Sequence, residues 1–353
     1  MHMDIRTYRA PLADELQEEY EDFISKAGLR DEGDSDIIAW MRNEGGALVA
    51  VGSLAGHTLK QFAVAPEIEG TGAMAQIMTK LIDEAYADGR SRLVLCTKPK
   101  NVQMLSSMGF YTLASAEDAV LMENRRNGLD NFLASIKQDA EQYASEHGID
   151  LAGGVIGAVV CNCDPFTLGH RYLIEYAAGK CDFLYVFAVS EAGSMFDPSD
   201  RLAMIKAGTA DIENCRVYES DKYLVSRATF PAYFIRNEED AENVKSEIDI
   251  NLFAERIAPK LGISKRFVGS EPYSPVTNAY NTKMKELLPT HGIELIEVLR
   301  FEADGDDSGL AVSASRVRKL LKDGDIEATR MLLPKTSFEI ISTIMKDKER
   351  VDI

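Results

Sequence analysis

The chain has 353 residues, 45% of them hydrophobic and 27% charged, a globular composition long enough for two cores. With 57 acidic against 39 basic residues its net charge is −18, which argues against nucleic acid as a partner, since a phosphate backbone needs a basic surface. No apolar run reaches membrane-spanning length, the N-terminus has no signal-peptide pattern and the 5 cysteines include no C-x-x-C pair, so we expect a cytoplasmic protein with no membrane contact, disulfide framework or metal-ligand set.

In chain order, a strand over residues 5–8 leads into a helix over 12–25. Alternating stretches at 37–41 and 47–54, separated by Asn43-Glu44-Gly45-Gly46, predict two strands, and a further strand over 58–65 stops at Pro66. The turn Gly70-Thr71-Gly72 then enters a helix with Ile77, Met78, Leu81 and Ile82 on one face. A buried strand over 93–96, a short helix over 101–107 and the turn Met108-Gly109-Phe110-Tyr111 into a last strand complete this half. By their residues alone, Gly70 and Gly72 make a tight strand-to-helix turn, and His57 is a surface residue after Gly56.

Residues 124–128 are polar and break the pattern. Leu129, Phe132, Leu133 and Ile136 then line one face of a helix over 129–144, which His147 caps and Gly148 stops. This divides the chain into a domain over 1–128, a linker helix over 129–149 and a second domain over 150–353 that ends in helices.

In that second domain, short strands at 155–160, 183–189, 216–218, 266–268 and 295–299 alternate with helices beginning near His170, Ser199, Ile248, Thr282 and Ser315. Such alternation predicts a parallel sheet covered on both faces, with ligands at the carboxyl ends of the strands. Cys161 and Cys163, two residues apart, are expected on one strand face as small core residues. The apolar run 155–160 breaks at Asp164-Pro165, and helical spacing returns with Leu173, Ile174, Ala177 and Ala178. A helix start offers free N–H groups and the positive end of the dipole, so this turn, with the Thr167 hydroxyl and His170, is a candidate phosphate site. A late segment, Val312-Ser313-Ala314-Ser315-Arg316-Val317-Arg318, opens another helix with Ser315 as the expected N-cap. A cation in a first turn opposes the dipole, so Arg318 is there either for a bound anion or within a solvated basic patch with Arg316 and Lys319.

The order of elements in the first half, its Gly-x-Gly turn and the segment Asn101…Ser107-Met108-Gly109-Phe110 resemble the GNAT family of acyl-CoA N-acetyltransferases. That resemblance implies a mixed α+β fold whose Gly70 and Gly72 turn holds the pyrophosphate of coenzyme A. Glu69 stands where a basic residue is usual and repels a pyrophosphate, and Met74 stands where a further glycine is usual. In the second half, T-x-G-H ending at His170 and S-x-S-R-x-R ending at Arg318 resemble the paired signatures of the HxGH nucleotidyltransferase superfamily, with its Rossmann-like parallel sheet. The resemblance implies ATP and Mg²⁺, with no protein side chain assigned to the metal. It places His170 and Thr167 on the phosphates, Cys161, Asn162, Pro165, Phe166 and Gly169 along the same turn at the nucleotide, and Ser313, Ser315 and Arg318, with Arg316 beside them, at the β- and γ-phosphates. The α-phosphorus is then attacked and pyrophosphate leaves, a chemistry of positioning and charge stabilisation.

Two further stretches resemble the citrate (pro-3S)-lyase ligase family: 225–235, with Ser226, Arg227 and Thr229, and 269–281, with Gly269, Glu271, Pro272, Tyr273, Thr277 and Asn278. The order of a GNAT-like half, a linker helix and a nucleotidyltransferase half resembles that family too, so the likeness covers essentially the whole chain. It implies an AMP-forming acetate:thiol ligase that acetylates, through acetyl-adenylate, the dephospho-coenzyme A-type prosthetic group of the citrate lyase acyl carrier protein. The two loops would face the acceptor or the nucleotide. Asp164 and Arg227 depart from the family, which has an uncharged Asn and a small residue there. The motifs alone leave open adenylyl transfer to a small phosphate-bearing acceptor, and a first half that is a GNAT-type acetyltransferase or a module recognising the carrier.

Overall fold

The two patterns of apolar residues resolve into two sheets, one mixed and one all parallel. The computed structural model of the chain describes residues 4–190, 194–220, 223–224, 234–235, 237–271, 274–301 and 312–351. Packing divides it into Met1–Gly128 with Thr229–Leu252, and Leu129–Ala228 with Phe253–Ile353.

The first unit runs β1 (Asp4–Arg9), α1 (Asp14–Lys26), β2 (Ile37–Arg42), β3 (Leu48–Ala55), β4 (Thr58–Val64), α2 (Ala73–Ala87), β5 (Val94–Thr97), α3 (Val102–Ser107), β6 (Tyr111–Ser115) and β7 (Val120–Glu123). Its seven strands lie in the order β1-β2-β3-β4-β5-β7-β6. In β2, successive side chains serve opposite cores: Ile37, Ala39 and Met41 pack with Ile77, Met78 and Leu81 of α2, while Ile38 and Trp40 pack with Tyr20 and Ile24 of α1. β4 and β5 form the parallel pair, joined at Thr58–Val94 and Leu59–Leu95. The expected last strand is not last. Val120–Glu123 follows it and pairs with both β5 and β6, which moves β6 to the sheet's edge.

The rest of the chain runs α4 (Gly128–His147), β8 (Ile156–Cys161), α5 (Leu168–Ala178), β9 (Phe183–Ala188), α6 (Pro198–Gly208), β10 (Cys215–Glu219), α7 (Glu238–Leu252), α8 (Ala258–Leu261), β11 (Lys265–Gly269), α9 (Pro275–Leu287), β12 (Glu294–Val298), α10 (Ala314–Lys322) and α11 (Lys335–Val351). Five parallel strands lie in the order β10-β9-β8-β11-β12. On one face Ile174, Met204, Ile205, Val317, Leu321 and Ile341 from α5, α6, α10 and α11 close over Val159, Leu184, Val186 and Phe267. Each such side chain contributes about 1.5–3 kcal/mol by leaving water. On the opposite face α4 is tied to β10, where Arg216 and Tyr218 both donate to the Asp139 carboxylate at 2.8 and 2.7 Å. His147 ends α4, its Nδ1–H donating to the Tyr143 carbonyl at 2.8 Å.

Several expected boundaries move. β8 ends at Cys161, and Cys163 has φ 51°, so the two cysteines do not share a strand face; Cys163 is nonetheless buried, which pushes its thiol pKa up. α7 begins at Glu238, well before Ile248, and packs against β6 in the first unit, Asn251 donating to the Ser115 carbonyl at 2.8 Å. α9 begins at Pro275, not Thr282, because Ser274 caps it by accepting from the Thr277 N–H at 3.3 Å. The N-cap of α10 is Ser313, not Ser315. His57 is half-buried and donates to the Arg92 carbonyl at 2.9 Å. None of the described helices is long and apolar enough to cross a membrane.

Candidate active site

From β8 the chain moves to β9 and β10 on one side, then returns to β11 and β12 on the other. The strand order therefore reverses beside β8, and the crevice above β8 and β11 is where parallel sheets take ligands. The turn 162–167 follows the carboxyl end of β8 and leads into the first turn of α5.

Thr167 is the N-cap of α5 and His170 its third residue, and the two close a reciprocal capping box. The Thr167 N–H donates to His170 Nδ1 at 3.1 Å, and the Thr167 hydroxyl, 3.0 Å from the same nitrogen, accepts from the His170 N–H at 3.4 Å. Because Nδ1 accepts a backbone proton, the proton of a neutral ring sits on Nε2, which is then a donor. Burial, and after it the positive charges of Arg300 and Arg318, push the His170 pKa down to about 4. The resting imidazole is thus neutral in a positive field. Thr167 is itself buried, with its hydroxyl committed to the cap.

The start of α10 meets the start of α5. A Cβ on Gly169 would come within 3.0 Å of the Val312 carbonyl, so the close approach needs glycine. Ser313 caps α10 by accepting from the Arg316 N–H at 3.3 Å. Arg318 reaches back across this junction, donating to the Asp164 carbonyl and, at 3.1 Å, to the Ser315 hydroxyl. Two positive helix ends and Arg318 therefore converge beside His170.

The turn is braced from below. Asp164 is buried, and its carboxylate accepts from the N–H groups of Met195 and Phe196, both at 3.1 Å. Arg201 of α6, 1% exposed, donates to the side chain of Asn162 and, at 3.1 Å, to the carbonyls of Asn162 and Val189, which joins the ends of β8 and β9. Phe166 is fully buried with its ring stacked 6.0 Å from that of His170, so it supports the histidine from the core side and does not present its ring to a ligand. Pro165 is buried after a cis peptide bond, and Cys161 is half-buried at the end of β8.

On the β11 side, Gly269 ends the strand and the Glu271 carboxylate pairs with Arg300. Arg300 Nε also donates to the Ser270 carbonyl at 3.1 Å. Thr277 and Asn278 lie in the first turn of α9, the Thr277 hydroxyl 3.0 Å from Ser274 Oγ within that helix's cap. Ser226, Arg227, Thr229, Pro272 and Tyr273 lie outside the described residues. Arg300 and Arg201 were missed in the sequence because neither belongs to a motif. In the first unit, Gly70 and Gly72 have φ of 76° and 85°, and Gly72 starts α2 with no side-chain cap. Among the described residues no group of three or more His, Cys, Asp and Glu could hold a metal ion, and the Asp164 carboxylate accepts from two backbone N–H groups and pairs with Arg318 at 3.8 Å.

The fold defines a class: a parallel-sheet α/β domain that follows, in chain order, a unit of GNAT fold. Residues 156–341 match the profile of the citrate lyase ligase C-terminal domain, and residues 2–112 match that of the acetyltransferase (GNAT) family. The chain is 39% identical to the citrate (pro-3S)-lyase ligase of Klebsiella pneumoniae over 308 residues, 86% of each chain. It is 36% identical to the ligase of the same name from Escherichia coli K12 over 305 residues, 85% of this chain and 83% of that one. A shorter likeness, 27% over 111 residues, covers 30% of the chain and 67% of a phosphopantetheine adenylyltransferase from Streptococcus mutans. The chain belongs to the citrate lyase ligase family.

Proposed function

We propose that the protein is an ATP-dependent ligase that acetylates the prosthetic-group thiol of the citrate lyase acyl carrier protein and so activates citrate lyase. An acetate oxygen attacks the α-phosphorus of ATP, the bond from that phosphorus to the bridging oxygen breaks, and acetyl-adenylate and pyrophosphate form. The carrier's thiolate then attacks the acetyl carbon and AMP leaves, so the protein's own cysteines take no part. The reading is carried by the meeting of the α5 and α10 helix starts around a neutral His170 flanked by guanidinium groups. Family membership supports it.

His170 Nε2–H donates to a phosphate oxygen, and stabilises the charge that grows there as pyrophosphate departs. Thr167 keeps the ring oriented for that bond. Ser313, Ser315, Arg316 and Arg318 receive the β- and γ-phosphates. Mg²⁺, if it enters with the nucleotide, would neutralise phosphate charge, and no side chain of this chain is assigned to hold it. The loops 225–235 and 269–281 face the acceptor or nucleotide, and the GNAT unit serves recognition of the carrier or its prosthetic group.

The test is the purified chain with ATP, acetate and deacetylated citrate lyase acyl carrier protein. AMP, pyrophosphate and an acetyl thioester on the carrier should appear together, and an intact carrier left unacetylated would overturn the assignment. The likeness to an adenylyltransferase supports a second reading, adenylyl transfer to a small phosphate-bearing acceptor. A dinucleotide product formed without carrier would favour it.

A further inference from the structure

The segment after β12 carries no recognised motif, yet it is pinned at four points around the crevice. The Ser270 N–H donates to the Val298 carbonyl at 2.8 Å, joining the ends of β11 and β12. The Phe301 ring stacks on Tyr172 of α5 at 5.3 Å, and its carbonyl accepts from the Val312 N–H at 3.0 Å, just before α10. Arg300 sits between these anchors with its guanidinium bonded to the Ser270 carbonyl and paired with Glu271. Three-quarters of that side chain is buried, the arginine side chain being 24% exposed.

Arg300 and Arg318 both lie close enough to His170 to disfavour its protonation, and their guanidinium groups are anchored on different segments. Arg318 is bonded to Asp164, whose carboxylate is held by the segment after β9. Arg300 is bonded to the loop after β11. β9 and β11 are the two neighbours of β8. In an in-line displacement the nucleophile and the leaving group stand on opposite sides of the phosphorus. If the α10 side takes the leaving pyrophosphate, the cation on the β11 side is the one positioned for the incoming group. That group is a carboxylate, and bringing it to a polyphosphate requires a positive charge. A guanidinium fork matches a carboxylate in shape as well as charge, and Glu271 already pairs with this one through the same chemistry.

We propose that Arg300 is the residue that binds the carboxylate of the acid substrate and presents it to the α-phosphorus. This rests on the ligase reading above. The experiment is acetate-dependent ATP–pyrophosphate exchange with the full chain. Loss of a charge-assisted bond costs about 1.5–3 kcal/mol, so Arg300→Gln should raise the KM for acetate about 10- to 100-fold with the KM for ATP within about twofold. Arg300→Lys keeps the charge without the fork and should raise the acetate KM by a smaller factor, again leaving ATP alone. It also serves if Arg300→Gln fails to fold. Equal rises in both KM values, or a folded variant with an unchanged acetate KM, would remove Arg300 from this role. Wild-type protein with no acetate-dependent exchange would bring down the ligase reading and this residue with it.

Discussion

Two strand-to-helix turns among the described residues, one in each unit, are built differently. At Gly70-Thr71-Gly72 the turn is a backbone device. Both glycines have positive φ, no side chain caps α2, and the exposed Glu69 precedes it. At Thr167–His170 the turn is a side-chain device: the cap, the imidazole, a second helix start and two arginines are assembled on it. A glycine turn supplies donors to whatever chain geometry allows. At the second turn burial, Arg300 and Arg318 also keep the imidazole neutral.

The largest effect should come from the one ring on which the second turn converges. His170→Ala should lower ATP–pyrophosphate exchange by about 100- to 1,000-fold, the range for loss of a transition-state donor. Its melting temperature should fall by only a few degrees, since one side of a capping box is worth about 1 kcal/mol. Full activity in a folded variant would reduce this turn to a backbone device like the first.

Much of this site was legible from residue order. Five short strands alternating with helices predict the parallel sheet, and the break at Asp164-Pro165 locates the turn. What stayed hidden depended on non-local pairing. Val120–Glu123 has no alternation to mark it, and it becomes a strand by pairing with β5, far back in the chain. Arg201 reads as a solvated helix residue because buried arginines are rare, yet it bridges Asn162 and Val189. Arg300 lies outside both motifs and joins the site only because β12 lies beside β11. The first half of α7 is rich in Glu, Asp and Asn, with Ala241 and Val244 its apolar residues before Ile248, so its helical stripe is weak until Ile248.

The glycines give the next contrast. Gly169→Ala places a methyl within 3.0 Å of the Val312 carbonyl and should part the two helix starts, lowering exchange about tenfold, roughly the loss of one neutral hydrogen bond. Gly72→Ala meets no atom within 4 Å but is strained by its φ of +85°, and should cost about 1 kcal/mol of stability. Its exchange rate per folded molecule should not change. A Gly169→Ala enzyme of full activity would show that the approach of α10 to α5 is not required.

The pH dependence follows from His170. Its folded pKa, about 4, lies below the ordinary 6.5, so between those values the unfolded chain binds the extra proton. The contribution to stability is therefore complete above pH 6.5 and is lost as pH falls from there through 4. Denaturant unfolding at a series of pH values should show this slope in the wild type and a shallower one in His170→Ala. Equal slopes would mean that the histidine titrates normally in the fold.

The smallest effect separates two serines that the motif treats alike. Ser313 has extended backbone, φ −136° and ψ 146°, and its hydroxyl accepts from the Arg316 N–H, whereas Ser315 is already inside α10 and accepts from Arg318. A capping hydroxyl satisfies a backbone donor that water would otherwise have to reach, so Ser313→Ala should cost about 1 kcal/mol of stability. Ser315→Ala removes one bond to a half-buried guanidinium that keeps its bond to the Asp164 carbonyl, and should leave stability within about 0.5 kcal/mol. It should instead loosen Arg318 and raise the KM for ATP. Chemical denaturation and exchange kinetics on the two variants give four numbers. If the stability loss followed Ser315, the helix would begin two residues later and Arg318 would stand in its first turn, pointed away from the α5 junction.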